Sequence, residues 1–286
     1  MKLLYIGIMG GDNGFTKAMS KEFDFIQLPV ERAEEALAID ADIVFFQIQR
    51  NGFRNIGIIK NIKGFKINWT GDVRDTIPKW MKHFARYIDL TTFSNMRDVI
   101  NMRKEGFKSE WLDIGYDPEI YNPAGDVADA PDIIYQANNW NHFPMSPLRK
   151  QVITALSEMD FKVYGEGYPE SFMYDQGAQA ALYRGCKIAI NLSNYQVRRY
   201  SSDRILRLMG SGAFCLSHRW EEMLYEDGKH LVCWDSISDL KDKINYYLYN
   251  PKERIKIARA GQKLVRDRDT FDNMARNIHF LYLKNK

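Results

Sequence analysis

Cysteine is scarce. The chain has three in 286 residues, Cys186, Cys215 and Cys233, each alone in an apolar or strand-like setting with no CxxC or histidine spacing around it. That excludes a disulfide framework and a cysteine-based metal centre and leaves buried thiols. Long apolar runs are missing too. None approaches the roughly 20 residues that span a bilayer, and the apolar part of the opening MKLLYIGIMGG is too short for a secretory signal. The expectation is a cytoplasmic protein without a transmembrane segment. An excess of one charge is also absent, the net value being +3 with a pI near 8.5, short of the basicity of a dedicated nucleic-acid binder. Finally, Gly10, Gly11 and Gly14 follow an apolar strand but do not keep the GxGxxG spacing. A dinucleotide is therefore not the first expectation, and Gly11 remains only as part of a turn whose backbone N–H groups face a cleft.

What is present is ordinary globular material, 45% hydrophobic and 27% charged, long enough for two domains of usual size. Short apolar strands alternate with amphipathic helices. Lys2–Ile8, Phe25–Leu28, Ile43–Phe46, Lys66–Trp69, Ile88–Thr92 and Glu110–Ile114 read as strands, with helices over Thr16–Phe23, Glu31–Ala38 and Met96–Lys104. Strands that are apolar throughout, Ile43-Val44-Phe45-Phe46 above all, predict a parallel sheet covered on both faces. Pro118 and Pro123 then break regular structure, so 117–131 reads as a linker. A second series follows, with strands at Asp132–Tyr135, Phe161–Tyr164, Lys187–Leu192, Ala213–Leu216 and Leu231–Trp234. Helices are expected over Leu148–Glu158, Ile237–Leu248, Lys252–Val265 and Thr270–Leu283. The fold class is α/β, with residues 1–122 and 132–268 as two similar units and 269–286 as a closing helix.

The stretch Arg198–Gly212, RRYSSDRILRLMGSG, concentrates four arginines, three serines and two glycines. Ser201, Ser202 or Asp203 suits the cap of a helix whose apolar positions are Ile205, Leu206, Leu208 and Met209, and Gly210 and Gly212 suit its end. A helix start offers unpaired N–H groups and a positive dipole end to an anion, and Arg204 adds a charge-assisted partner. A solvated basic helix is the plainer alternative. At the carboxyl end of the Lys66 strand stands Asp72, in Thr70-Gly71-Asp72, where ligands sit in sheets of this kind; the Asp132 strand ends toward Asn138, and the Phe161 strand toward Gly165 and Gly167. Asp72 is equally good turn chemistry. Trp140 suits a stacking platform or a core plug, and His142 and His218 are loop histidines.

Taken in order, NWTGD, WLDIGYDPEIYNP, a strand followed by an Arg-bearing helix, VYGEGY, INLSN, SSDRILRLMGSGAFCLS and YYLYNPKERIKIARAGQKLV resemble the CgeB-like (spore maturation protein) branch of the GT-B glycosyltransferases, over Lys66–Val265. The resemblance implies two Rossmann-like domains with parallel sheets facing a central cleft, a C-terminal helix crossing back to the first domain, and no obligatory cofactor or metal. It also implies a nucleotide-sugar donor, UDP-sugar first, held by the second domain, and a saccharide or other hydroxyl acceptor on the first. Carried over by position, Tyr164, Gly165 and Gly167 border the base, Ser202 and Arg204 meet the diphosphate, and Gly210 and Gly212 let backbone come close. Arg207 stands where family members usually carry a Glu that holds donor hydroxyls, which puts the donor's identity in question.

Sugar transfer needs the leaving diphosphate's charge met, here by Arg204 and the helix N–H groups, with Arg198, Arg199 and Arg207 in reserve. An inverting route also needs a base, for which Asp72 comes first, then Asp12, then His83; a retaining route needs none. Two alternatives stand beside transfer to a saccharide: a DNA-base glycosyltransferase acting on a hydroxylated pyrimidine, motivated by the basic stretch Arg97–Lys108, and a catalytically inactive sugar-nucleotide-binding protein, motivated by Arg207.

Overall fold

The computed structural model describes residues 1–8, 13–48, 56–169 and 175–286. The chain divides into two compact units, Met1–Gly115 with Phe271–Lys286, and Tyr116–Thr270.

The first unit is a six-stranded sheet in the order β2-β1-β3-β4-β5-β6, formed by β1 (Lys2–Gly7), β2 (Asp24–Pro29), β3 (Ile43–Phe46), β4 (Phe65–Thr70), β5 (Leu90–Phe93) and β6 (Ser109–Trp111). Every pairing is parallel. All four β3 residues are buried, because alternate side chains enter two different cores: Ile43 and Phe45 one, Val44 and Phe46 the other. Helix α1 (Gly14–Glu22) follows β1, capped by Asn13, whose side chain accepts from Thr16 N. Helices α2 (Lys79–Ala85) and α3 (Met96–Lys104) precede and follow β5. The expected helix Glu31–Ala38 is instead a 3-10 segment, Val30–Ala38, broken at Arg32. Its buried residues Ala33 and Ala36 lie three apart, the 3-10 period rather than the α period.

The second unit is a five-stranded sheet in the order β11-β10-β9-β7-β8, made of β7 (Ile133–Gln136), β8 (Phe161–Tyr164), β9 (Ile188–Asn191), β10 (Cys215–His218) and β11 (Val232–Trp234). It too is parallel throughout. Its helices are α4 (Ser146–Leu156), α5 (Gln176–Gly185), α6 (Asp203–Gly210), α7 (Ile237–Tyr249) and α8 (Pro251–Arg268). The chain order turns back between β7 and β9, so the connections on either side of this point cover opposite faces and leave a crevice at the strands' carboxyl ends.

Segment 117–131, expected as a linker, is folded into this unit. Arg184 Nε donates to Asp126 O at 2.6 Å and its Nη1 to Asn122 O at 3.0 Å, and Tyr121 Oη donates to Gln179 Oε1 at 2.6 Å. The last helix, α9 (Phe271–Asn285), belongs to the first unit. There it lies against α1, with Lys21 3.3 Å from Asp272, His279 2.6 Å from Glu22 and Phe15 edge-on to Phe271.

Candidate functional site

Three chain segments meet at the turning point between β7 and β9: the end of β7 with the loop after it, the loop after β9, and the first turn of α6. Tyr135, on β7, donates its hydroxyl to Leu192 O, just beyond β9, at 3.1 Å. Arg204, in the first turn of α6, donates through Nη1 to the same carbonyl at 3.1 Å, its guanidinium 5.9 Å from the centre of the Tyr135 ring. Arg149, on α4, donates through Nε to Tyr135 Oη at 3.3 Å, through Nη1 to Asn138 O at 2.6 Å and through Nη2 to Asn194 Oδ1.

Arg149 is only 2% exposed. Among the described residues, neither it nor Arg204 has a carboxylate partner, whereas Arg198 pairs with Glu222 and Arg207 with Asp203. A buried guanidinium satisfied only by neutral acceptors lacks the counter-ion that would offset its desolvation. Ser202 caps α6 without a side-chain cap hydrogen bond, and its hydroxyl, in a residue 9% exposed, has no partner among the described residues. The first N–H groups of any α-helix have no intrahelical acceptor. Two guanidinium groups, a hydroxyl without a partner among the described residues and a helix start, all at the turning point of a parallel sheet, are the kinds of group that can hold an anion such as phosphate.

Arg149 was not among the residues singled out in the sequence, although a signal was there. On α4 the buried positions are Ser146, Arg149, Val152 and Leu156. An arginine occupying a slot that helical periodicity assigns to the core marks a charge held for a purpose.

The other sequence candidates fall in several places. Asn138 lies in the site, but its side chain is engaged, Oδ1 accepting from Glu166 N at 3.3 Å. Tyr164 ends β8, the edge strand, and its carbonyl accepts from Ala137 N at 2.9 Å. Gly165 is required by backbone: a Cβ there would lie 1.7 Å from Ala137 O. Gly167 has φ +82, in the left-handed region. These residues shape the loop beside Asn138.

Arg207, expected among the donor contacts, has partners within its own unit. Its Nη2 is 2.8 Å from Asp203 Oδ2 and its guanidinium lies 5.5 Å from the Tyr121 ring centre. Burial works against its charge, but Asp203, Tyr121 and Tyr183 together hold its pKa above the ordinary arginine value. Burial likewise pushes the Tyr121 hydroxyl up to about 12. Arg207 therefore fastens α6 to the segment bearing Tyr121. Gly210 and Gly212 serve the same junction: a Cβ at Gly210 would meet the Tyr116 ring at 2.5 Å, and one at Gly212, where φ is +85, would meet Pro123 at 3.2 Å.

In the first unit, Asp72 follows β4 with its side chain 63% exposed and 3.9 Å from Arg74 Nη2. Ser94 Oγ holds the preceding residue by donating to Gly71 O at 2.7 Å. Gly11 and Asp12 lie outside the described residues. His83 lies edge-on to Tyr87. Trp140 is exposed and stacked on His142, so it is not a core plug. His218 is edge-on to Trp234, and burial lowers its pKa, keeping it neutral.

The fold is that of the GT-B glycosyltransferases. Residues 147–279 match the family described as glycosyl transferase-like, a span that includes Arg149, Ser202 and Arg204. The chain is similar over its whole length to HepE of Anabaena, solved with UDP and glucose, with a TM-score of 0.70, 11% identity and coverage of 99% of this chain and 100% of that one. Sucrose-phosphate synthase of Thermosynechococcus elongatus aligns with a TM-score of 0.72 at 9% identity, over 99% of both chains. A glycosyltransferase of Rickettsia africae aligns with a TM-score of 0.64 at 12% identity, over 100% of this chain and 99% of that one. No curated protein matches the sequence.

Proposed function

We propose that this chain is a metal-independent glycosyltransferase of the CgeB-like branch, moving a sugar from a UDP-sugar to a hydroxyl acceptor in the cytoplasm. The observation that carries the reading is the pair Arg149 and Arg204 at the turning point of the second sheet, without carboxylate partners and next to the open start of α6. The family matched over 147–279 and the UDP and glucose bound by HepE support it; the order of motifs from Lys66 to Val265 supports the branch.

In this reading the donor diphosphate lies against Arg149, Arg204, the Ser202 hydroxyl and the first N–H groups of α6. As the bond between the anomeric carbon and the diphosphate oxygen breaks, negative charge grows on that oxygen, and preset donors aimed at developing charge contribute roughly 3 to 4 kcal/mol each. The acceptor oxygen bonds to the anomeric carbon, its proton passes to Asp72 in an inverting reaction, and UDP leaves. The acceptor is a saccharide or other hydroxyl compound. The ground for a DNA acceptor weakens, because two of the four cations in the stretch Arg97–Lys108 are paired with carboxylates: Arg97 with Asp98 at 3.0 Å, and Arg103 with Glu110 at 3.2 Å.

A melting experiment with UDP, GDP, ADP and CMP tests the donor site. UDP at about 100 times its Kd is expected to add roughly 2.7 kcal/mol of stability, and Arg204→Ala to abolish the shift. Equal response to all four nucleotides, or a shift untouched by the substitution, overturns the reading. Donor turnover by the purified protein separates a transferase from an inactive binder, and turnover that survives EDTA supports the absence of a metal requirement.

A further inference from the structure

Helix α8 carries a second cationic feature, unrelated to the diphosphate site. Lys252, Lys256, Arg259, Lys263 and Arg266 are all exposed. Their offsets of 4, 7, 11 and 14 put them on one helical face, along about 21 Å at 1.5 Å per residue. Of the two acids in the helix, Asp267 pairs with Lys263 at 2.6 Å and Arg266 at 3.3 Å. Glu253 accepts from Tyr246 Oη at 2.8 Å. Among the described residues, Lys252, Lys256 and Arg259 have no carboxylate partner. The opposite face is seated in the fold through Ile257, Ala258, Gly261 and Val265, Gly261 lying so close to His230 O that a Cβ would come within 2.2 Å. The stripe is therefore held rigidly outward. At its start, apolar surface is exposed: Tyr249 is 87% accessible, Tyr246 50% and Ile255 45%.

We infer that this face of α8 docks the protein on an anionic membrane surface. Lys and Arg near such a surface each add attraction within a Debye length, and tyrosine and isoleucine beside them enter the headgroup boundary, where an amphipathic ring is favoured. The combination distinguishes a bilayer from duplex nucleic acid. A duplex asks for cations that follow a curved line of phosphates and gains nothing from an exposed isoleucine; a flat anionic interface attracts a straight row of charges and accommodates the apolar end. The inference does not depend on sugar transfer and is tested without it.

The full chain is sedimented with vesicles of phosphatidylcholine alone and with vesicles containing phosphatidylglycerol, at low and high salt. Binding to the anionic vesicles only, with release at high salt, is expected. The triple variant Lys252→Ala, Lys256→Ala, Arg259→Ala is expected to lose on the order of 100-fold in partition, at roughly fivefold per charge removed. Tyr249→Ser with Ile255→Ser is expected to weaken partition roughly tenfold while leaving the salt dependence intact. Circular dichroism melting, unchanged in both variants, shows that the fold is kept. A protein that stays in the supernatant with anionic vesicles, binds both vesicle types equally, or binds undiminished in the triple variant overturns the inference. So does retention on duplex DNA in the absence of vesicle binding.

Discussion

Arg149 and Arg204 are joined by one hydrogen-bond relay: Arg149 Nε donates to Tyr135 Oη, the Tyr135 hydroxyl donates to Leu192 O, and Arg204 donates to that carbonyl as well. The relay presets both guanidinium groups before any ligand arrives. Such rigidity reduces the reorganisation that charge stabilisation would otherwise cost. Arg204→Lys is therefore expected to lower kcat/KM for donor turnover about 100-fold despite keeping the charge, since a lysine cannot hold the carbonyl and face a phosphate in the same fork. Arg149→Met is expected to do as much, and steady-state kinetics on both variants, with melting as the fold control, measure it.

Arg207 makes the opposite prediction. Its ion pair with Asp203 is partly exposed and its other contact is the Tyr121 ring, so Arg207→Met is expected to cost roughly 1 kcal/mol of stability and to leave the UDP-induced melting shift intact. A lost shift with an intact fold would return Arg207 to the donor site.

Asp72→Asn separates the two stereochemical routes. If Asp72 takes the acceptor proton, kcat falls by about 100-fold or more and UDP binding is unchanged. A retained kcat would remove Asp72 from the chemistry.

At Gly165 the backbone leaves no room for a side chain, the would-be Cβ lying 1.7 Å from Ala137 O. Gly165→Ala is expected to destabilise the fold by roughly 1 to 3 kcal/mol through overpacking and to weaken UDP binding by shifting the loop at Asn138. Gly167→Ala, at φ +82, is expected to cost about 1 to 2 kcal/mol. Denaturant unfolding measures both.

Acid sensitivity has a local source at Asp227. Burial pushes this carboxyl up, but the Cys233 N–H at 2.8 Å and the Arg219 guanidinium at 2.7 Å together hold it below the ordinary value. A carboxylate depressed by folding contributes stability above its unfolded pKa and loses it as pH falls through the folded one. The melting temperature is expected to drop on acidification below about pH 4, and Asp227→Asn to lower it at neutral pH and flatten that acid limb.

Much of the architecture was legible in the chain because it depends on local burial. The uncharged run Ile43–Phe46 predicts a strand covered on both faces, and β3 is one; Ile205, Leu206, Leu208 and Met209 predict the buried side of α6, and all four are buried. The exceptions are local as well. The 3-10 segment at Val30 follows a spacing of three that resembles a helical spacing of four, and α2 and α5 are short helices whose buried apolar residues, Met81, Phe84 and Ala85 in one and Ala180, Leu182 and Tyr183 in the other, span little more than a turn.

The alternation of elements, the parallel sheets and a helix start within Ser201–Asp203 were determined by the sequence itself, since periodicity and capping act over a few residues. Which arginines remain available to an anion was decided only by tertiary structure. Arg198 is taken by Glu222, 24 positions away, while Arg204 is turned to the carbonyl of Leu192 and joined by Arg149 from a different helix. A guanidinium's availability depends on the carboxylates that folding brings within reach, and no spacing along the chain carries that information.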